Sequence, residues 1–219
     1  MTGINYRDFL TTDKPHKALT VGKHKRAGRN AFGRITTRHQ GGGHKRRYRL
    51  IDFKYDKKDI PARIETIEYD PNRTGFIALV CYNDGERRYV LVPKRMKVGD
   101  KFLVSEKAEL KLGNRLLLAK IPVGTFVYNV ELKPEGGAKV ARSAGNYVEV
   151  VAQDGGMVHL KMPSSEIRKV SGKCWASIGD VSNDENKLVK IGKAGRARWM
   201  GRRPTVRGTV MNPVDHPMG

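Results

Sequence analysis

Between residues 46 and 187 the apolar positions come in short alternating runs, broken roughly every 8–12 residues by turn-forming clusters. In the stretch from Tyr48 to Tyr55, Tyr48 and Leu50 share one face, while Ile51, Phe53 and Tyr55 share the other. That change of phase predicts a bulge or bend near Leu50. Ala62 to Tyr69 predicts a second strand. It ends at Asp70-Pro71-Asn72, where proline fixes φ and asparagine tolerates the left-handed region. Phe76 to Tyr82 is nearly all apolar, as a core strand is, and Asn83-Asp84-Gly85-Glu86 turns it back into Arg87 to Val92. After a further turn at Val98-Gly99-Asp100 comes Phe102-Leu103-Val104. Residues 48–119 therefore predict a small barrel of five or six strands.

Ile121-Pro122-Val123-Gly124 breaks the pattern and marks a boundary. Beyond it, strands are expected over Thr125 to Leu132, Asn146 to Ala152, Met157 to Met162 and Glu166 to Val170, with Cys174 to Val181 as a further candidate. Val158, Leu160 and Met162 alternate with His159 and Lys161, which predicts a half-buried antiparallel strand. Helix signals are scarce. Strands never alternate with long helical patterns, which argues against a doubly wound α/β enzyme fold. Residues 22–49, 133–145, 192–208 and 209–219 read as irregular.

Charge changes the picture of those irregular stretches. The chain of 219 residues carries +21 overall. Residues 1–49 hold 13 Lys/Arg against Asp8 and Asp13, and residues 188–219 hold 7 against Asp215 alone. The 138 residues between them hold 23 basic and 19 acidic side chains. A nearly neutral body thus carries two cationic arms, poor in apolar residues and rich in glycine. Such arms call for a polyanion, and they are expected to stay flexible until bound. Cys81 and Cys174 have neither metal-type spacing nor a disulfide framework and are expected as reduced, packed thiols. No segment approaches the length of a membrane span. The opening residues lack the apolar core of a signal peptide, and Asp8 and Asp13 interrupt any organellar presequence.

The first arm places Arg34, Arg38, His39, His44, Lys45, Arg46 and Arg47 around Gly41-Gly42-Gly43. Three glycines cannot cheaply form a strand or helix, and they let backbone approach phosphates closely. The G-x-x-x-x-G-K-[ST] spacing of a nucleotide-binding loop is missing, and His39 and His44 lack the partners of a metal site. The second arm places Lys193, Arg196, Arg198, Trp199, Arg202, Arg203 and Arg207 among four glycines. Trp199 either stacks on an unpaired base or pegs the arm into the second barrel. Arg73 and Arg142 each stand on a loop between strands, where phosphate or base contact is expected. In the tail, Met211-Asn212-Pro213-Val214-Asp215-His216-Pro217, two prolines predict an extended, exposed segment. His216 reads as an RNA contact rather than a proton shuttle, since no nucleophile is visible beside it.

These same segments carry a resemblance. Gly33 to His39 with Gly41 to Lys45, Glu68 to Arg73, Ala141 to Gly145, Gly192 to Trp199, Arg203 to Gly208 and Met211 to Pro217 closely resemble the universal large-subunit ribosomal protein L-two family, bacterial type. The match runs in order from about Tyr6 to Gly219. It implies an all-β chain: an OB-fold barrel followed by an SH3-like barrel, with extended basic N- and C-terminal arms. The expected divisions are an N-terminal arm over 1–45, an OB-fold RNA-binding domain over 46–119, an SH3-like domain over 120–191 and a C-terminal arm over 192–219. Family members usually continue past the tail with a long basic extension, so the last arm is expected to be truncated. Met218 stands where many members carry a second histidine.

The resemblance further implies a structural constituent of the large subunit, not an enzyme. It would bind ribosomal RNA, support the peptidyl-transferase region and assist subunit association. Arg73 and Arg142 match the family's RNA-binding loop arginines, and His216 matches the tail histidine, in a supportive role. The implied partners are large-subunit ribosomal RNA and other ribosomal proteins, reaching across the subunit interface, in the cytoplasm. No membrane, small-molecule substrate or cofactor is implied, apart from Mg2+ held by the RNA. Two rival readings are a sequence-blind DNA-compacting protein and an RNA-processing enzyme with His216 as base.

Overall fold

A computed structural model of the chain describes residues 5–12 and 14–219. Residues 1–4 and Asp13, on which the reading of the amino terminus drew, lie outside them. The first half holds β1 (Thr20–Gly22), β2 (Arg47–Arg49), β3 (Ala62–Glu68), β4 (Ile77–Tyr82), β5 (Arg87–Leu91) and β6 (Lys101–Phe102). The second half holds β7 (Arg115–Leu117), β8 (Phe126–Tyr128), β9 (Val148–Asp154), β10 (Met157–Lys161), β11 (Ile167–Ser171) and β12 (Trp175–Ile178). β1 and β2 form a two-stranded ribbon; the other strands form sheets of order β5-β4-β3-β6 and β11-β10-β9-β8-β12-β7. The body is an OB-fold barrel followed by an SH3-like barrel.

The run Ile77–Tyr82 is apolar on both sides because both sides are covered. Ala78, Val80 and Tyr82 face the barrel core with Ile64, Val90 and Phe102, while Ile77 and Leu79 pack with Tyr89 under Leu19 and Ile51. The hairpin closes at Gly85, whose φ of +86° suits glycine. In the second barrel Val158 and Leu160 point inward, as their alternation demands, to meet Val127, Val148, Val150 and Val170. β7, which sequence grouped with the first barrel, pairs with β12 in the second sheet. It still touches the first barrel: Arg115 bridges Val104, its N–H donates to the Leu103 carbonyl at 3.0 Å, and Leu117 packs against the first barrel's core.

The barrels share buried polar chemistry. Arg115 Nη2 donates to Glu131 Oε1 at 3.0 Å and its Nη1 to the Asn129 carbonyl at 2.7 Å, with the guanidinium 4.5 Å from the centre of the Tyr55 ring. Asn129 Nδ2 donates to the Tyr55 hydroxyl at 2.8 Å, and the Trp175 N–H donates to Glu131 Oε2 at 3.2 Å. Each charge taken from water here has a charged or polar partner, which is what makes its burial tolerable. Burial pushes the Tyr55 phenol up to about 12, against the pull of Arg115.

Three expectations are corrected. The strand expected from Tyr48 to Tyr55 ends at Arg49, because Asp52 Oδ1 accepts the N–H groups of Lys54 and Tyr55 at 2.9 Å each and turns the chain. The strand expected over Thr125 to Leu132 stops at Tyr128, where Asn129 takes a φ of +50°. The irregular 192–208 contains a helix, α1 (Ala194–Trp199). Cys174 is buried and Cys81 half-buried, both as free thiols. No helix among the described residues is long and apolar enough to cross a membrane.

The described residues form two compact units. One holds the barrels with the segment before them, up to Val21 and over 48–189; the other holds residues 22–47 and 190–219 together.

Candidate nucleic-acid interface

The unit built from the two arms has almost no apolar interior, so its order rests on backbone hydrogen bonds. In the first arm, residues 28–37 form a tight hairpin. The Thr36 and Thr37 N–H groups donate to the Gly28 carbonyl at 2.9 and 3.1 Å, and Arg29 bridges Ile35. In the second arm, Ala and Arg favour α1, and Gly201 ends it at φ +91°. Arg202 N–H reaches back to the Ala197 carbonyl at 3.1 Å and Gly201 N–H to the Arg198 carbonyl at 3.0 Å, the two bonds of a glycine C-cap.

The arms then join. Gly41 N–H donates to the Gly201 carbonyl, His44 N–H to the Trp199 carbonyl and Arg203 N–H to the His39 carbonyl, each at 2.9 Å. Gly43 has φ +72°, and a Cβ there would lie 2.9 Å from Gly201 N and 3.0 Å from the Trp199 carbonyl. The glycine run, expected to lie tightly on phosphates, therefore makes its close approach to the other arm. Lys25 Nζ holds the run from the side, donating to the carbonyls of Gly42 and Gly43 at 3.0 and 2.5 Å.

This pairing leaves the charges outward. Arg34, Arg38, His39, His44, Lys45, Arg47, Lys193, Arg198, Arg202, Arg203 and Arg207 are exposed, and Arg46 and Arg196 are half-buried. Trp199 is 58% exposed with Lys193 Nζ 4.8 Å from its ring centre, so it is not a buried peg. Residues 22–47 and 190–219 together hold sixteen Lys/Arg against Asp215 alone. Among the described residues no ion pair ties Arg34, Arg38, Arg198, Arg202, Arg203 or Arg207 to a carboxylate. A surface of one sign this dense attracts polyanions strongly.

The tail departs from the extended form expected. Short turns of 3-10 helix at Gly208–Val210 and Pro213–Asp215 fold it back, because Pro213 suits the first position of a turn. His216 is half-buried, its Nδ1 accepting the Met218 N–H at 3.1 Å. Its ring lies so close to Gly208 that a side chain there would strike it.

Arg73 and Arg142 lie in the barrel unit, and the fold brings them together. Ala138 N–H donates to the Phe53 carbonyl at 2.7 Å and Ala144 N–H to Thr74 Oγ1 at 3.0 Å, so the 133–145 loop of the second barrel is stitched to the first. The Arg142 guanidinium stands 4.6 Å from the centre of the Phe53 ring and that of Arg73 5.5 Å from it. Arg73 Nε donates to Asp70 Oδ2 at 2.6 Å, and Asp70, fully buried, also accepts the Asn72 N–H at 2.9 Å. Arg142 Nη1 donates to the Ala138 carbonyl at 3.3 Å. Sequence reasoning passed over Phe53, Asp70 and Lys25. Asp70 carried a signal as a turn former, whereas Phe53 read as one more apolar strand position and Lys25 as one more cation.

Residues 16–104 match the family model described as Ribosomal Proteins L2, RNA binding N-terminal domain, and residues 111–219 match Ribosomal Proteins L2, C-terminal domain. The chain is 54% identical over 213 residues to the large ribosomal subunit protein uL2 of Granulibacter bethesdensis, covering 97% of this chain and 77% of that protein.

Proposed function

The chain belongs to the ribosomal protein L2 family, a structural constituent of the large ribosomal subunit and not an enzyme, and from that premise we propose that its barrels grip ribosomal RNA through Arg73 and Arg142 while the paired arms follow further RNA as one cationic element. The observation that carries this reading is the shared Phe53 ring. A loop of each barrel delivers one guanidinium to the same aromatic side chain, so two donor forks are held in a common place before any ligand arrives. Planar guanidinium groups suit phosphate oxygens, because two parallel N–H groups meet two acceptors. Asp70 takes the Nε–H of Arg73, which sets the orientation of the fork and offsets part of its charge. Arg73 therefore contributes directed hydrogen bonds as well as Coulomb attraction.

The arms supply the salt-dependent part. Arg34, Arg38, His39, His44, Lys45, Arg46 and Arg47 from the first arm would lie along phosphates, together with Lys193, Arg196, Arg198, Arg202, Arg203 and Arg207 from the second. Each neutralised phosphate releases counterions. Trp199 offers a face to an unpaired base, and His216 supports the fold of the tail. Support of the peptidyl-transferase region, subunit association and contact with neighbouring ribosomal proteins are parts of this reading, suggested by the family resemblance. The place of action is the ribosome in the cytoplasm, and Mg2+ enters only as the RNA's own.

Filter binding of the full chain to large-subunit ribosomal RNA over a salt series tests it. Arg73→Ala and Arg142→Ala should each weaken binding by roughly 1–3 kcal/mol and make the slope of log affinity against log salt shallower by about one. Wild-type affinity in both variants would remove the pair from the interface.

A further inference from the structure

The hairpin of the first arm ends in an aromatic ring that stands exposed, with almost none of it covered by the described residues. Phe32 is 88% exposed, and the local hydrogen bonds explain why it stays so. Asn30 Oδ1 accepts the N–H groups of Phe32 and Arg34 at 3.0 and 3.1 Å, while Asn30 N–H donates to the Arg34 carbonyl at 3.0 Å. Gly33 completes the turn at φ +77°, its N–H donating to the Asn30 carbonyl at 3.2 Å. Behind the turn, Gly28 has φ +74° and no room for a Cβ beside the Thr37 carbonyl. The tip is pinned at both ends, so the ring is held out on a short rigid support.

Its surroundings select a partner. Arg26, Arg29, Arg34 and Arg38, on the hairpin or next to it in sequence, are exposed, and no carboxylate occurs between residues 22 and 47. An apolar protein patch or a neutral surface would have to accept these guanidinium groups without counter-charge. A nucleic acid supplies both needs at once: phosphates for the arginines and a flat apolar base for the ring. Paired bases in a helix have their faces covered, so the base must come from a loop or bulge. Phenylalanine has no hydrogen-bonding group with which to read a base edge, so the contact distinguishes stacked from unstacked nucleotides rather than one base from another.

We propose that Phe32 is a stacking contact for an unpaired base of the bound RNA, a site separate from the Arg73–Arg142 pair. It rests on the RNA-binding reading above. The test compares the full-length wild type with Phe32→Ala, Phe32→Leu and Phe32→Trp, using large-subunit ribosomal RNA at fixed salt. Phe32→Ala should lose roughly ten- to a hundredfold in affinity with an unchanged salt slope, because no charge is removed. Phe32→Leu should fall with it, having no flat face, and Phe32→Trp should bind as wild type does. The added indole fluorescence of Phe32→Trp should be quenched on RNA addition. Wild-type affinity in Phe32→Ala overturns the inference while leaving the RNA-binding reading intact. So does full binding by Phe32→Leu, the outcome expected of a mere apolar contact with protein or RNA sugar. Failure of the wild type to bind this RNA at all overturns both.

Discussion

Phe53 is half-buried, and its ring serves two cations that belong to different barrels. A cation over an aromatic face gains about 0.5–2 kcal/mol, more as water is excluded. Here the larger consequence is positional, since both guanidinium groups lose freedom before RNA arrives. Phe53→Leu should weaken RNA binding by about 0.5–2 kcal/mol, and Phe53→Tyr should restore it. Binding measured in a cycle of Phe53→Leu with Arg142→Ala separates this role from general loosening. The leucine penalty should shrink once Arg142 is gone, and an undiminished penalty would mean that the ring does not act through that arginine. At this scale the sequence showed half of the proposed site. Arg73 and Arg142 stood out as single arginines on loops beside glycine and proline. Phe53 did not, because alternation along a strand says only which side of a chain a ring lies on. What lies beside it was decided by the second barrel's loop, fixed through Ala138 N–H and the Phe53 carbonyl.

Among elements, the arms differ most from expectation. Their low apolar content argued for disorder until bound, and no buried core contradicts that composition. Order comes instead from backbone groups, which leave no trace in a hydrophobic pattern. The bond from His44 N–H to the Trp199 carbonyl joins segments far apart in sequence, and it depends on Gly43 having no side chain. Helix α1 is only six residues long and contains Gly195, so it fell below any periodic signal. The strands of the barrels, by contrast, were legible wherever a face was buried. β3, β4, β5 and β10 lie where alternation or a continuous apolar run placed them. The element-scale prediction follows from the crossing. Gly43→Val combines a disfavoured φ with a clash against backbone, so the arms should separate. Hydrogen exchange of the free protein should show the Gly41 and His44 amides at least about tenfold faster than in wild type, with the barrel amides unchanged. Equal protection of those two amides would show that the arms do not depend on this close approach.

For the whole molecule, charge and core are kept apart, and this division was readable from residue counts alone. The arms carry most of the net charge, while the barrels hold the buried acidic groups that set stability at high pH. Burial pushes the Cys174 thiol up to about 11 and the Tyr55 phenol up to about 12, and it raises the Tyr128 phenol well above its ordinary value. Each group stays protonated in the folded chain after the unfolded chain has begun to ionise. The unfolded state therefore binds fewer protons above about pH 9, and stability is lost as pH rises from there toward the folded values. For Cys174 the separation of about two pH units corresponds to about 2–3 kcal/mol at most. Urea unfolding at pH 8, 9.5 and 10.5, followed through the buried Trp175, should show a falling midpoint. Cys174→Ala should start lower at pH 8, because a small cavity replaces the sulfur, but should fall less steeply between pH 9 and 11. An identical alkaline slope in that variant would mean that the thiol ionises as readily folded as unfolded, and the interior around it would then have to be open to water.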